Sequence, residues 1–272
     1  MSSSNNAKRV HRSLLFVPGD RPERFDKAAA SGAHEIILDL EDAVAPAAKP
    51  QARDKVAGWL ASGAAAIVRI NAADTEWYAG DVAMLESLSS AAVMLPKSDA
   101  ASLARTSAAL PGRRIVALVE TVSGFMQLHD VARSTGVDRI AFGSVDFSSE
   151  SGIADEGEAL TSVRTAIVLA SCHAGLAAPI DGVSVEFTDE ARMTADARRS
   201  RQLGFGGKLC IHPRQVGVVN AAFLPTAAER EWAQRVLAAF EASGGGATSV
   251  DGKMIDKPVV ERARQIAAQA DA

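Results

Sequence analysis

Short apolar runs recur along the chain, and each breaks off abruptly in polar residues. They occupy residues 14–17 before Pro18-Gly19-Asp20, 36–38 before Asp39-Leu40-Glu41-Asp42, 66–68 before Arg69-Ile70-Asn71, and 92–95 before Pro96-Lys97. Further runs cover 115–119 before Glu120-Thr121, 140–142 before Gly143-Ser144-Val145-Asp146, a weaker 178–180 before Asp181-Gly182, and 208–211 before His212-Pro213. Runs this short, apolar on both faces and bounded by turn residues, predict strands of a buried parallel sheet. Between them lie Ala-, Arg- and Glu-rich segments with helical spacing. One covers 23–30; another covers 160–172, with Val163, Ala166, Ile167 and Ala170 on one face. Strand and helix in alternation predict an α/β fold, and eight such units in this length point to a (β/α)8 (TIM) barrel. The rival is an open doubly wound sheet. No G-x-G-x-x-G follows the first run and no phosphate-binding P-loop is present, which argues against it.

After the eighth run the pattern changes. Residues 227–242 read as a long helix with Trp232, Val236, Leu237 and Phe240 on one face. Ser243-Gly244-Gly245-Gly246 breaks it and is expected to be flexible, and a short final helix closes the chain. The expected organisation is a barrel domain over 1–242 and a C-terminal helical arm or lid over 243–272.

Composition narrows the class. Of 272 residues, 47% are apolar and 23% charged, with a formal net charge of −4, a balance that argues against disorder and against a nucleic-acid binder. Cys172 and Cys210 are too few for a disulfide framework. The polar opening, Met1 to Lys8, has no apolar signal-peptide core, and no apolar run approaches the roughly 18 residues of a membrane helix. The expectation is a cytoplasmic protein without a membrane span.

In a (β/α)8 barrel the residues at the carboxyl ends of the strands form the active-site face. That face would gather Asp39, Glu41, Asp42, Arg69, Lys97, Glu120, Asp146 and Asp181. Carboxylates crowded this way repel one another unless a cation sits among them. Glu120 and Asp146 end adjacent strands, and two carboxylates with water and a chelating substrate suit Mg²⁺. Zinc is disfavoured, since neither the five histidines nor the cysteines have ligand spacing. Glu120 capping a helix or pairing with an Arg stays open as the alternative. Arg69 ends an apolar strand. It would bind a substrate carboxylate or an enolate, or else pair internally with Glu41 or Asp42. Arg24 and Lys27 share one face of the first helix, suited to phosphate or simply solvated. His212 reads equally as a base or as a hydrogen-bonded structural residue, and the two cysteines read as structural.

These motifs resemble a known family. The stretch Leu15-Phe16-Val17-Pro18-Gly19-Asp20-Arg21-Pro22-Glu23-Arg24-Phe25-Asp26-Lys27-Ala28 is similar to the opening of citrate lyase β-subunit-like proteins. That group also contains malyl-CoA and citramalyl-CoA lyases and the HpcH/HpaI aldolases. The likeness continues through Leu38-Asp39-Leu40-Glu41-Asp42-Ala43-Val44 with Lys49, Val68-Arg69-Ile70-Asn71, Leu95-Pro96-Lys97, and Glu120-Thr121 with Gly124. It closes with Phe142-Gly143 and Asp146, Cys210-Ile211-His212-Pro213, and Gly252-Lys253-Met254-Ile255-Asp256-Lys257-Pro258. Each motif alone is weak; in this order they cover nearly the whole chain.

The resemblance implies a Mg²⁺-dependent carbon–carbon lyase. It would cleave or form a 3-hydroxyacyl-CoA such as malyl-, citramalyl- or citryl-CoA, with an acyl-CoA and a 2-oxo acid as the fragments. It carries the metal carboxylates onto Glu120 and Asp146, the substrate-binding Arg onto Arg69, and the CoA phosphate contacts onto Arg24 and Lys27. An acid/base Asp delivered by a neighbouring subunit falls on Asp256, within a homotrimer or hexamer. Asp39, Glu41, Asp42 and Lys49 would orient metal-bound water. One departure is Val145, where the family often has Glu before the metal Asp; it bears on the acyl substrate or on the surroundings of the metal, and removes no metal ligand. Two alternatives stand beside this reading. One is an aldolase of the metal-dependent class II type acting on free oxo acids. The other is a citrate lyase β-like subunit working with an acyl-carrier protein.

Overall fold

The computed structural model describes residues 11–270. The opening residues read above for a signal peptide, 1–8, lie outside the described residues. Eight strands close into a parallel barrel in chain order: β1 (Ser13–Pro18), β2 (Glu35–Asp39), β3 (Ile67–Arg69), β4 (Ala92–Leu95), β5 (Ile115–Val119), β6 (Val137–Phe142), β7 (Ile180–Asp181) and β8 (Gly207–Cys210). β8 pairs back onto β1 and so removes both sheet edges. Each strand matches an apolar run. β7 is only two residues long, because Pro179 has no N–H to give to a ladder and the strand begins after it.

The helices that matter for the site are α1 (Phe25–Ala29), α2 (Lys49–Ala61), α3 (Tyr78–Glu86), α4 (Val122–Met126), α5 (Ser144–Ser151), α6 (Thr161–His173) and α7 (Glu190–Gln202). The first predicted helix, 23–30, is split. Pro22–Arg24 form a 3-10 turn, and α1 follows it.

Inside the barrel, Leu14, Ile37, Ile67, Met94, Val116, Leu118, Ala141, Ile180 and Leu209 form one core. Successive strand side chains point to opposite faces. Two residues beyond an inward Ile37, Ile67 or Leu118, the chain therefore turns Asp39, Arg69 and Glu120 inward at the carboxyl end. The same alternation turns Asp181 and Lys208, which neighbour Ile180 and Leu209, outward towards the helices.

The chain separates into two compact units, Met1–Asn220 and Ala221–Ala272. The division thus falls well before residue 242. The physical reason lies within the second unit. Its first helix, α8 (Ala227–Ala242), shares a core with its last, α9 (Lys257–Ala270): Ala233 and Val236 of α8 pack with Ile255, Val260, Ala263 and Ile266. The Gly-rich segment is therefore a turn inside this unit, with Gly244 and Gly245 at φ of 68° and 86°. The final helix, expected to be short, runs for 14 residues. An unexpected hairpin precedes it, β9 (Thr248–Val250) and β10 (Lys253–Ile255). Its Asp251-Gly252 turn has positive φ at both residues, the pair such turns favour.

Ile37 is fully buried at the barrel axis. Ile37→Ala is expected to cost about 2–5 kcal/mol, read as a lower urea midpoint at unchanged slope.

Candidate active site

A cavity of about 460 Å³ opens at the carboxyl end of the barrel. Asp39, Asp42, Arg69, Glu120, Ser144 and Asp146 line its polar side. Glu120 follows β5 and is almost wholly buried; Asp146 lies in the first turn of α5 and is exposed. Gly143, at the end of β6, makes room for Glu120. A Cβ there would lie 2.4 Å from the Glu120 Cβ and 2.7 Å from its Oε2. The backbone N–H of Lys97 donates to Glu120 Oε1 at 2.8 Å. Lys97 holds a φ of 48° at this point, a left-handed conformation that non-glycine residues seldom take.

Burial, the nearby Glu41 carboxylate and Asp146 push the Glu120 carboxyl up to about 8, against the pull of Arg69 and the Lys97 N–H. Without a cation, this shift favours the protonated form of Glu120. With a hard cation on the Glu120 and Asp146 oxygens, that proton would leave. Among the described residues no group of three or more His, Cys, Asp or Glu forms a metal cage. The donor set therefore fits an ion that accepts two carboxylates and completes its shell with water or substrate, as Mg²⁺ does.

Arg69 realises the ion-pair alternative. Its Nε and Nη2 donate to the two oxygens of Asp39 at 2.7 and 2.6 Å, a forked pair. Its Nη1 lies 3.1 Å from Glu41 and 3.4 Å from Asp42, and its guanidinium stacks on the Phe16 ring at 4.8 Å. Asp39, not named beforehand as a partner, is the main one. Arg69 still lines the cavity. Glu41 is bridged on its other side by the Lys97 ammonium at 3.0 Å, and burial leaves its carboxyl above the ordinary range.

Lys49 has a different task from the one expected. Its ammonium donates to the Leu40 and Glu41 carbonyls at 2.8 and 2.7 Å and to Asn71 Oδ1 at 2.6 Å. All three N–H bonds are committed, leaving none to orient metal-bound water. Asn71 in turn donates to Asp81 of α3, which Arg53 of α2 pairs at 2.9 Å. This buried chain fixes the loop that carries Glu41 and Asp42. Asn71 lay within the Val68-Arg69-Ile70-Asn71 motif; Asp81, inside a helix, gave no signal in the sequence.

Asp181 is not at this mouth. It points outward into a second cavity of about 230 Å³, where Arg164 of α6 donates to it at 2.9 Å and Lys208 lies 3.7 Å away. Burial raises its carboxyl, but Lys208 and Arg164 outweigh that and hold it below the ordinary value. Arg24 and Lys27 are exposed near the start of α1 and do not line the mouth. His212 lies outside the cavity lining; its Nδ1 accepts the Arg214 N–H at 3.1 Å and its ring stacks on Phe187. Cys210 is buried, its thiol pushed up to about 12 by burial, while Cys172 is exposed. Asp256 belongs to the second unit, where it is exposed and accepts the Val259 N–H at the start of α9.

Comparison with known proteins gives this geometry a family. Residues 12–213 match the model of the HpcH/HpaI aldolase/citrate lyase family. A (3S)-malyl-CoA thioesterase of Cereibacter sphaeroides is 34% identical over 270 residues, covering 96% of this chain and 95% of that protein. A citrate lyase subunit beta-like protein of Mycobacterium tuberculosis is 37% identical over 263 residues, covering 94% of each. The crystal structure of CitE from M. tuberculosis, in complex with magnesium, acetoacetate and coenzyme A, superposes with a TM-score of 0.86 at 34% identity, covering 97% of this chain and 99% of that one. The chain belongs to the HpcH/HpaI aldolase/citrate lyase family. Among the described residues no helix is long and apolar enough to cross a membrane.

Asp181→Asn removes the carboxylate that Lys208 and Arg164 share, leaving Arg164 with Asp155 alone, and is expected to cost about 3–5 kcal/mol. The native carboxyl holds its proton less tightly than the unfolded one. Its contribution is therefore present above the ordinary value of 3.8 and fades on acidification. Urea unfolding of both proteins from pH 7 down to pH 3 checks this: the gap between them should narrow towards the acid end.

Proposed function

We propose that this chain is a Mg²⁺-dependent carbon–carbon lyase acting on a 3-hydroxyacyl-CoA, releasing an acyl-CoA and a 2-oxo acid. The observation that carries it is the pairing of buried Glu120 with Asp146 on one cavity wall, where ionisation of Glu120 is unfavourable until positive charge arrives. Family membership supplies the reaction class, and the magnesium and coenzyme A held by the related CitE agree with it.

In this reading Glu120 and Asp146 would hold the ion, which when bound polarises the oxygens of the 2-oxo acid as a Lewis acid and template. Cleavage removes the proton of the substrate hydroxyl, breaks the adjacent C–C bond, and leaves the electron pair on an acyl-CoA enolate. Arg69, held flat by Asp39 and Phe16, would face the enolate oxygen where negative charge develops. Asp256 of a neighbouring copy, in a trimer or hexamer, would give a proton to the enolate carbon, or take it in the condensation direction. Its exposed carboxylate and lack of an ion pair among the described residues suit that task. Arg24 and Lys27, also without ion-pair partners among the described residues, would meet the CoA phosphates.

The thioesterase name of one relative favours a second reading, hydrolysis of the thioester. Products separate the two. Cleavage yields a 2-oxo acid and an intact thioester, while hydrolysis yields free thiol and no 2-oxo acid.

Incubation with malyl-, citramalyl-, methylmalyl- and citryl-CoA should release 2-oxo acid in the presence of Mg²⁺ and stop with chelator. Glu120→Gln and Asp146→Asn should each lower metal-dependent kcat by at least about 10²-fold at unchanged circular dichroism; full activity in either refutes the metal site. Asp256→Asn should slow exchange of the acetyl-CoA methyl protons while leaving acyl-CoA affinity within about threefold. Unchanged exchange removes Asp256 from the mechanism.

A further inference from the structure

The wall of the mouth cavity is divided. Its charged side holds four carboxylates, Asp39, Asp42, Glu120 and Asp146, against one cation, Arg69. That guanidinium already meets Asp39 in a fork, with Glu41 and Asp42 within 3.4 Å, and the lyase reading gives what remains of it to the enolate oxygen. The rest of the lining is largely apolar and includes Val145, Val183, Val185, Leu209 and Ile211. Val145, Val185 and Ile211 are 46%, 66% and 43% exposed, so these apolar groups stand open to whatever fills the cavity. The three valines also line the second cavity, where Arg164 and Lys208 lie. They form a partition that keeps those two cations out of the mouth.

We propose that the carbinol carbon of the substrate carries an aliphatic substituent, methyl or larger, packed on the Val145–Val183–Val185 partition, so that the released 2-oxo acid is a monocarboxylic one. This rests on the lyase reading and adds to it the choice of substrate. A substituent ending in carboxylate would meet the valines with no second cation among the described lining residues, and desolvating a carboxylate against them without a partner is costly. It would also add negative charge to a wall already rich in it. A methyl or ethyl group gains contact there, and each methylene fitted or missed in such a pocket changes the rate about 10–200-fold.

The test compares four CoA thioesters that differ only at the carbinol carbon: hydrogen, methyl, ethyl and carboxymethyl. The full-length protein with Mg²⁺ is used, and 2-oxo acid release is followed. Methyl or ethyl should exceed carboxymethyl in kcat/KM by about 10-fold or more. Val145→Arg, which adds a cation to an exposed position of the partition, should narrow that ratio by at least about threefold, mainly through KM for the carboxymethyl substrate. Binding of the free oxo acids gives a readout without turnover. In thermal-shift titrations with Mg²⁺, pyruvate and 2-oxobutyrate should stabilise the protein at lower concentration than oxaloacetate. Cleavage in which hydrogen or carboxymethyl is preferred, or an unchanged ratio in Val145→Arg, overturns the inference and leaves the lyase intact. Absence of cleavage with all four thioesters overturns the lyase reading and this inference with it.

Discussion

Carboxylates outnumber cations at the mouth of the barrel, and three of them, Asp39, Glu41 and Glu120, are buried where water screens them poorly. Glu120 is buried beside Glu41 and within the field of Asp146, while Arg69 supplies the nearest full positive charge. The Arg69 guanidinium, with the Lys97 ammonium on Glu41, cannot neutralise Asp39, Glu41 and Asp42 and also serve Glu120. The remaining negative charge must be protonated or must meet a cation from solution. That imbalance is what suits the mouth to the proposed hard divalent ion, which would take two carboxylates and complete its shell with water or substrate.

The surrounding chain is arranged to keep this imbalance from relaxing. Asp39 locks the guanidinium plane from one edge, and Phe16 lies against its face. Lys49 ties down the carbonyls of the loop that bears Glu41 and Asp42, and is itself anchored through Asn71 and Asp81 to two helices. Gly143 leaves the space that Glu120 fills, and the left-handed Lys97 turns its N–H onto the same carboxylate. Removing any of these would let a carboxylate swing towards water or a spare cation. Val145, Val183 and Val185, which line both cavities, lie between this charged corner and Arg164 and Lys208, which belong to a self-contained ion cluster around Asp181.

Much of the barrel is legible in the amino-acid sequence, because a strand buried on both faces must be short, apolar and abruptly ended. All eight runs are strands, and the polar residues after them include Asp39, Arg69 and Glu120 of the site. The same reasoning placed Asp181 in the mouth and was wrong, although the alternation of faces along Ile180-Asp181 carries the correction. The hairpin before the last helix was likewise present as an Asp-Gly turn, but its strands are only three residues long and weakly apolar. The division between units could not be read from the Gly-rich segment. What decides it is which helix α8 packs against, a contact made across the intervening hairpin.

By itself, then, the sequence determined the strand order, the closed parallel architecture, most of the charged residues gathered at one end and the family to which they belong, since these follow from local pattern and spacing. Tertiary structure decided how those charges are shared. Arg69 could equally have faced a ligand or its neighbours until Asp39 was seen 2.6 Å away. Lys49 could have served water until its three acceptors were found. Val145 gained meaning only beside Val183 and Val185, brought to it from a different part of the chain. Pairing and partition are properties of distances between strands, and a one-dimensional pattern of residue types holds no such distances.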